Sequence, residues 1–290
     1  MNNYILISDS STDLTPELMK ESNVEILPLT FIIDGKSYSN YLDEREMPIK
    51  EFYSLLRNGK IVTTGQVNVK NFLDVFENYL KNGLDILYIA FSSGLSGTYN
   101  SATIAAAELS QKYPERKIIV ADSLSASMGE GLLVYLAAQK AKRGAGIDEV
   151  AKWVEENKLN LCHWFTVDDL MFLKRGGRVS SAAALMGTAL GIKPVMHVDN
   201  EGHLIPISKV RGRRKSLDAL VSKMEESAIN PKEQVVFISH GDCIEDAEYL
   251  AKQIKSKLKV KDIKINTIGP VIGAHSGPGT MALFFLGSER

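Results

Sequence analysis

The chain has 290 residues, 44% apolar and 24% charged, with a formal net charge of −1: a globular composition that can bury a large core in one or two domains, with no general attraction for nucleic acid or anionic membrane. Its two cysteines, Cys162 and Cys243, lie far apart and give neither a disulfide framework nor a zinc spacing. No apolar run approaches the roughly 20 residues of a membrane span and the opening MNNYILISDSS lacks a signal peptide's basic and apolar regions, so a soluble, cytoplasmic protein is expected.

Tyr4 to Ser8 reads as a buried first strand ending in a polar loop, Asp9 to Thr12. Thr15-Pro16 marks a helix start, because proline at the first helical position loses no hydrogen bond. Val24 to Ile33 is β-rich, with Pro28 demanding an edge or a bend and Asp34-Gly35 a hairpin turn. Met47 to Arg57 is helix-like, and Asn68 is placed to cap a helix from Val69 whose Phe72, Phe76 and Leu80 share one face. The apolar run Asp85 to Ala90 leads into FSSGLSGTYNSA (Phe91 to Ala102) and a further helix. Lys117 to Ala121 is another buried strand, followed by the turn DSLSAS and helices over Met128 to Arg143 and Asp148 to Asn157. Strand and helix alternate, which predicts a doubly wound, mostly parallel sheet.

After residue 158 the pattern changes. A strand over Leu161 to Val167 and a short helical turn lead into KRGGRVS and an Ala-rich segment, Ser181 to Leu190. IKPVMHV and LIPISKV, joined by Asn200-Glu201-Gly202, form an antiparallel hairpin that the first half is not expected to contain. Helix Arg213 to Ser227, strand Gln234 to Ser239, helix Ile244 to Leu258 and strand Asp262 to Ile268 follow, and the glycine-rich turn GPVIGAHSGPGT feeds a last strand, MALFFL. The prediction is a two-domain α/β protein: an N-terminal domain over 1–158 and a C-terminal mixed-sheet α/β domain over 159–290.

Four polar turns carry the chemistry, the last three containing glycine: SDSSTDL, TTGQVN, SSGLSGT and GAHSGPG. The third offers five hydroxyls, Ser92, Ser93, Ser96, Thr98 and Ser101, where a helix cap needs one. A strand-to-helix turn of this kind is an anion site, built from hydroxyls and the unpaired N–H groups of the helix start. Thr64 and Ser96 can hold a small anionic head, with His275 as a further donor. His163 and His197, in apolar strands, read as satisfied core or edge residues.

The usual catalytic signatures are missing. GLSGT is not a G-x-S-x-G nucleophile elbow, no phosphate loop or dinucleotide fingerprint occurs, and the histidines form no H-E-x-x-H pair. No metal or cofactor is expected. Two basic clusters, Lys174/Arg175/Arg178 and Lys209 to Lys215, read either as solvated loop charges or as contacts for phosphate or an acidic partner.

Taken in order, these motifs resemble the DegV family, including the fatty-acid-binding (FakB) subunits of bacterial fatty acid kinase. The resemblance runs nearly end to end, through DSLSASMGEG, FLKRGGRVS, IKPV and KVRGRRKS as well as the four turns. It implies two α/β domains enclosing a long-chain fatty acid such as palmitate in an apolar tunnel. The carboxylate-binding threonine falls on Thr64, the serine of GLSG on Ser96 and the C-terminal histidine on His275. Arg178 falls on the arginine near the head group and Arg211 on the one associated with kinase docking. It further implies a non-enzymatic carrier whose ligand a separate kinase phosphorylates, with transient membrane contact. Where the family reads T-S-Q-P, this chain has Thr64-Gly65-Gln66-Val67, losing a hydroxyl and a rigid proline.

Two rival readings remain at this point. One is a serine hydrolase or acyltransferase using Ser96 with His275 as base. The other is nucleic-acid binding through residues 209–215, which the overall charge disfavours.

Overall fold

In the computed structural model, residues 3–180 and 191–290 are described; the Ala-rich segment 181–190 lies outside them. The first half contributes strands β1 (Tyr4–Asp9), β2 (Val24–Leu27), β3 (Thr30–Ile33), β4 (Lys36–Ser39), β5 (Val62–Gly65), β6 (Asp85–Ala90) and β7 (Ile118–Asp122). Helices α1 (Pro16–Ser22), α2 (Ile49–Arg57), α3 (Val69–Lys81), α4 (Thr98–Lys112), α5 (Met128–Lys142) and α6 (Ile147–Asn157) intervene. The second half contributes β8 (Leu161–Thr166), α7 (Met171–Arg175), β9 (Ile192–Val198), β10 (Leu204–Arg211), α8 (Arg213–Ser227), β11 (Val235–His240), α9 (Ile244–Leu258), β12 (Asp262–Thr267), α10 (Pro270–Ser276) and β13 (Met281–Leu286).

These strands form three sheets. A parallel sheet has the order β2-β1-β6-β7, a mixed sheet the order β10-β9-β8-β13-β11-β12, and a small antiparallel sheet the order β4-β3-β5. In the mixed sheet only β11 and β12 pair in parallel. The expected β9–β10 hairpin forms, but antiparallel pairing is not confined to the second half: β3 pairs with both β4 and β5. Pro28 marks the reason, because the β-rich run breaks there and its two parts, β2 and β3, join different sheets.

Local signals act as their chemistry dictates. Thr15 Oγ1 accepts from Leu18 N–H at 3.2 Å and Asn68 Oδ1 from Asn71 N–H at 3.0 Å, capping α1 and α3. Phe72, Phe76 and Leu80 form the buried face of α3, with Phe72 ring-to-ring at 5.0 Å from Tyr88 of β6. Helix α5 is apolar on nearly every side because it is a central layer: its core includes Leu87 and Ile89 of the parallel sheet and Phe237 and Phe284 of the mixed one. The segment read as the last glycine-rich turn is instead α10, started by Pro270 at its first position; three glycines in ten residues hid its short apolar face.

Two contacts fix α10 across the halves. Tyr53 of α2, wholly buried, donates its hydroxyl to Ile268 O at 2.9 Å, and Gly269 N–H, at the start of α10, donates to Asp13 Oδ1 at 2.9 Å. Tyr53→Phe leaves the Ile268 carbonyl without its donor, so it is expected to cost about 1–3 kcal/mol. Urea unfolding measures this, and an unchanged midpoint would show the bond to be dispensable.

Candidate functional site

Loops following parallel strands gather at one edge, and β1 and β6 are adjacent although their connections leave in opposite directions, so the switch point of the sheet falls between them. SDSSTDL follows β1 and SSGLSGT follows β6. Beside them, β5 brings TTGQVN and α10 brings His275. Together with the inner face of the mixed sheet they enclose a cavity of about 170 Å³, or about 960 Å³ with all free space up to its mouth.

One part of the lining is polar. Thr64, Ser96, Arg178 and His275 all face the cavity, so the structure brings together four of the five residues singled out in the sequence. Thr64 Oγ1 and His275 Nε2 are 2.7 Å apart. Ser96 Oγ lies 2.9 Å from Thr98 Oγ1 and accepts from Thr98 N–H at 3.2 Å, so this serine faces the cavity while also holding the first turn of α4. Of the turn's other hydroxyls, Ser92 bonds Gly202 O and Ser101 accepts from Gln66 Nε2 at 2.9 Å. They hold the loop.

Arg178 joins two of the motifs. Its Nε and Nη2 donate to Leu95 O at 3.2 and 2.9 Å, and its Nη1 donates to Gly176 O at 2.5 Å. With all three nitrogens occupied by carbonyls, it contributes positive charge to the site and staples the GGR turn to the GLSG turn. Burial, with the Arg178 charge nearby, pulls the His275 imidazole down to about 4, so the empty site presents a neutral histidine. Arg211 lies elsewhere, at the exposed end of β10 and outside the cavity lining.

The remainder of the lining is apolar, with Phe91, Phe165, Phe284, Leu173, Val198 and Val271 prominent. The arrangement suits a ligand with one anionic end and a long apolar body. His275 Nε2 pairs with Thr64 and Ser96 Oγ with Thr98, so these two residues are not arranged as a bonded nucleophile–base pair. Among the described residues no cluster of His, Cys, Asp and Glu is arranged for a metal ion, and no helix is long and apolar enough to cross a membrane.

Several residues here were not legible as site residues. Ser127 and Ser239 line the cavity from the start of α5 and from β11. His163 lines it as well and departs from the expectation of a satisfied core histidine. It is 1% exposed, neither ring nitrogen has a hydrogen-bond partner among the described residues, and burial drives its pKa well below the ordinary value. His197, by contrast, is satisfied, its Nδ1 lying 2.9 Å from His163 O and its ring stacked on Trp164. Asp13, the aspartate of SDSSTDL, stands directly behind this wall, bonded to Ser127; the sequence did not single it out from its motif.

Gly176 explains why the GGR turn needs a glycine. A Cβ there would lie 2.1 Å from His275 Nδ1, so Gly176→Ala is expected to displace the imidazole from Thr64 and weaken ligand binding by roughly tenfold or more, the worth of one charge-assisted hydrogen bond. Titration with a long-chain carboxylate such as dodecanoate measures this; unchanged affinity would remove His275 from the site.

The sequence profile of the family described as "Uncharacterised protein, DegV family" matches residues 4–288. A DegV domain-containing protein of Clostridium perfringens is 49% identical over 290 residues, covering 100% of this chain and 99% of the relative. Among solved structures, a DegV lipid binding protein from Thermotoga maritima superposes with a TM-score of 0.87 at 30% identity, covering 100% of both chains. A DegV family protein from Thermus thermophilus, described for its fatty acid binding, gives 0.88 at 29% identity and covers 98% of this chain and 99% of its own. A profile match over nearly the whole length and a half-identical relative leave one conclusion: this chain belongs to the DegV family.

Proposed function

We propose that the protein is a carrier that binds a long-chain fatty acid in this cavity, with the carboxylate held by Thr64, Ser96 and His275 near the charge of Arg178. The observation that carries the reading is the 2.7 Å pairing of Thr64 and His275 beside Ser96 at one end of an otherwise apolar enclosure. A hydroxyl binds a carboxylate through its O–H, and a partly buried bond of this kind contributes roughly 1.5–3 kcal/mol. Such bonds orient the head group. Affinity comes mainly from the chain, at about 0.8 kcal/mol per buried methylene, or on the order of 10 kcal/mol for sixteen carbons before the costs of binding. The Thermus relative described for fatty acid binding supports the same ligand class.

The finer part of the proposal is that the bound acid is presented to a separate kinase, which forms the acyl phosphate. The carrier acts in the cytoplasm and touches membranes only transiently. Presentation suits a site with no nucleophile–base pair of its own. Arg211, exposed at the end of β10 beside Arg214 and Lys215, is the proposed docking cation.

Mass spectrometry of the purified protein, with organic extraction, tests the ligand. A non-covalent C14 to C18 acid near one per chain is expected; a covalent acyl group on Ser96 would instead revive the acyltransferase reading. Thr64→Ala and Ser96→Ala are each expected to weaken binding roughly ten- to hundredfold, from the loss of one charge-assisted bond. Retention of full affinity by both would sink the head-group assignment.

A further inference from the structure

Behind the cavity lie three carboxyls that are almost wholly inaccessible: Asp9, Asp13 and Glu130 are at most 1% exposed. Hydroxyls, backbone N–H groups and one another's charge surround them, and none forms an ion pair among the described residues. Asp9 and Glu130 share Ser11 Oγ, which lies within hydrogen-bond distance of both and has one proton to give, so the second bond needs a protonated carboxyl. Asp13 reaches the cavity wall. Its Oδ2 accepts from Ser127 Oγ at 2.5 Å, and Ser127 Oγ lies 2.9 Å from Ser239 Oγ, both serines being part of the lining. On its far side Asp13 borders a separate polar cleft with Asn40 and Asn266. The carboxyl therefore stands in the partition between that cleft and the ligand cavity.

We infer that ligand uptake is coupled to proton uptake at Asp13, so that the cavity holds a long-chain carboxylate more tightly when this carboxyl is protonated. The inference rests on the fatty-acid reading of the same cavity.

Gly269, bonded to Asp13, opens α10, and His275 lies six residues further on, so the two ends are about 9 Å apart at roughly 1.5 Å per residue. Two negative charges at that separation, with an effective dielectric of about 20, oppose binding by on the order of tenfold. One effect acts the other way, because an ionised Asp13 holds Gly269 N–H more firmly. That effect is the smaller. A protonated carboxyl still accepts from Gly269, and α10 keeps independent anchors in Tyr53 OH to Ile268 O and Ile268 N–H to His240 O.

Of the three carboxyls, Asp13 is the one bonded to a serine side chain of the lining. Burial pushes its carboxyl up to about 7, against the bonds from Ser127 and Gly269 and with help from the Asp9 charge. Burial also raises Asp9 and drives Glu130 and Tyr53 well above their ordinary values. Burial pulls His240 down, and His275 down to about 4, so His275 stays neutral between pH 6 and 8.

Calorimetric titration with dodecanoate at pH 6 and pH 8 tests the coupling. The wild type is expected to bind on the order of tenfold more tightly at pH 6, and Asp13→Asn to bind equally at both, at the wild type's pH 6 affinity. Ser127→Ala removes a donor that favours the charged form, so its transition should move to higher pH; with wild-type titrations at pH 7 in two buffers of different ionisation enthalpy, this decides the matter even if Asp13→Asn does not fold. A flat wild-type profile with no proton uptake, or an unchanged slope in Asp13→Asn, overturns the inference and leaves the carrier reading standing. Absence of binding at both pH values overturns both.

Discussion

The carboxyl of Asp13 ties three elements of the fold at one buried point. Its two oxygens accept from Ser127 at the start of α5 and from Gly269 at the start of α10, while its backbone carbonyl accepts from Asn266 Nδ2 at 2.7 Å. The parallel sheet, the central helix and the end of the mixed sheet are thereby tied at one buried point. An unpaired carboxyl in such a place is costly unless fully hydrogen-bonded, and the loops around it provide the donors. The cavity is the space left where these tied elements cannot close on each other.

Within that space polar and apolar groups divide the work. Thr64, Ser96 and His275 come from β5, the turn after β6, and α10, three elements far apart in sequence, so the head-group site exists only in the folded chain. Arg178, bonded to Leu95 and Gly176 carbonyls, joins two of the turns and places a positive charge beside the cavity. In the proposed function the apolar remainder supplies most of the binding free energy and the polar end orients and displays the head group.

Much of this was legible in the chain. The strands, most helices and the four polar turns announced themselves through period and punctuation, because each depends on neighbours a few residues away. Thr64, Ser96 and His275 were found through the order of the motifs, and Arg178 through the GGR turn. What escaped depends on long-range packing. α10 was hidden by its glycines, which are needed where Tyr53 and Phe172 crowd its backbone. His163 looked like an ordinary core histidine, since only the cavity distinguishes it. Asp13, within SDSSTDL, gave no local sign of its bond to Ser127 behind the wall, and the antiparallel sheet of β3, β4 and β5 was visible only as a single hairpin turn.

The central claim is that a fatty acid lies in the cavity with its carboxylate at Thr64 and His275. Its most direct test is nuclear magnetic resonance of the protein loaded with palmitate labelled with carbon-13 at the carboxyl. The account predicts one slowly exchanging carboxylate signal whose dipolar contacts are to the Thr64 methyl group and the His275 ring. A carboxylate signal in contact with neither, or one that exchanges freely with solvent, would contradict it.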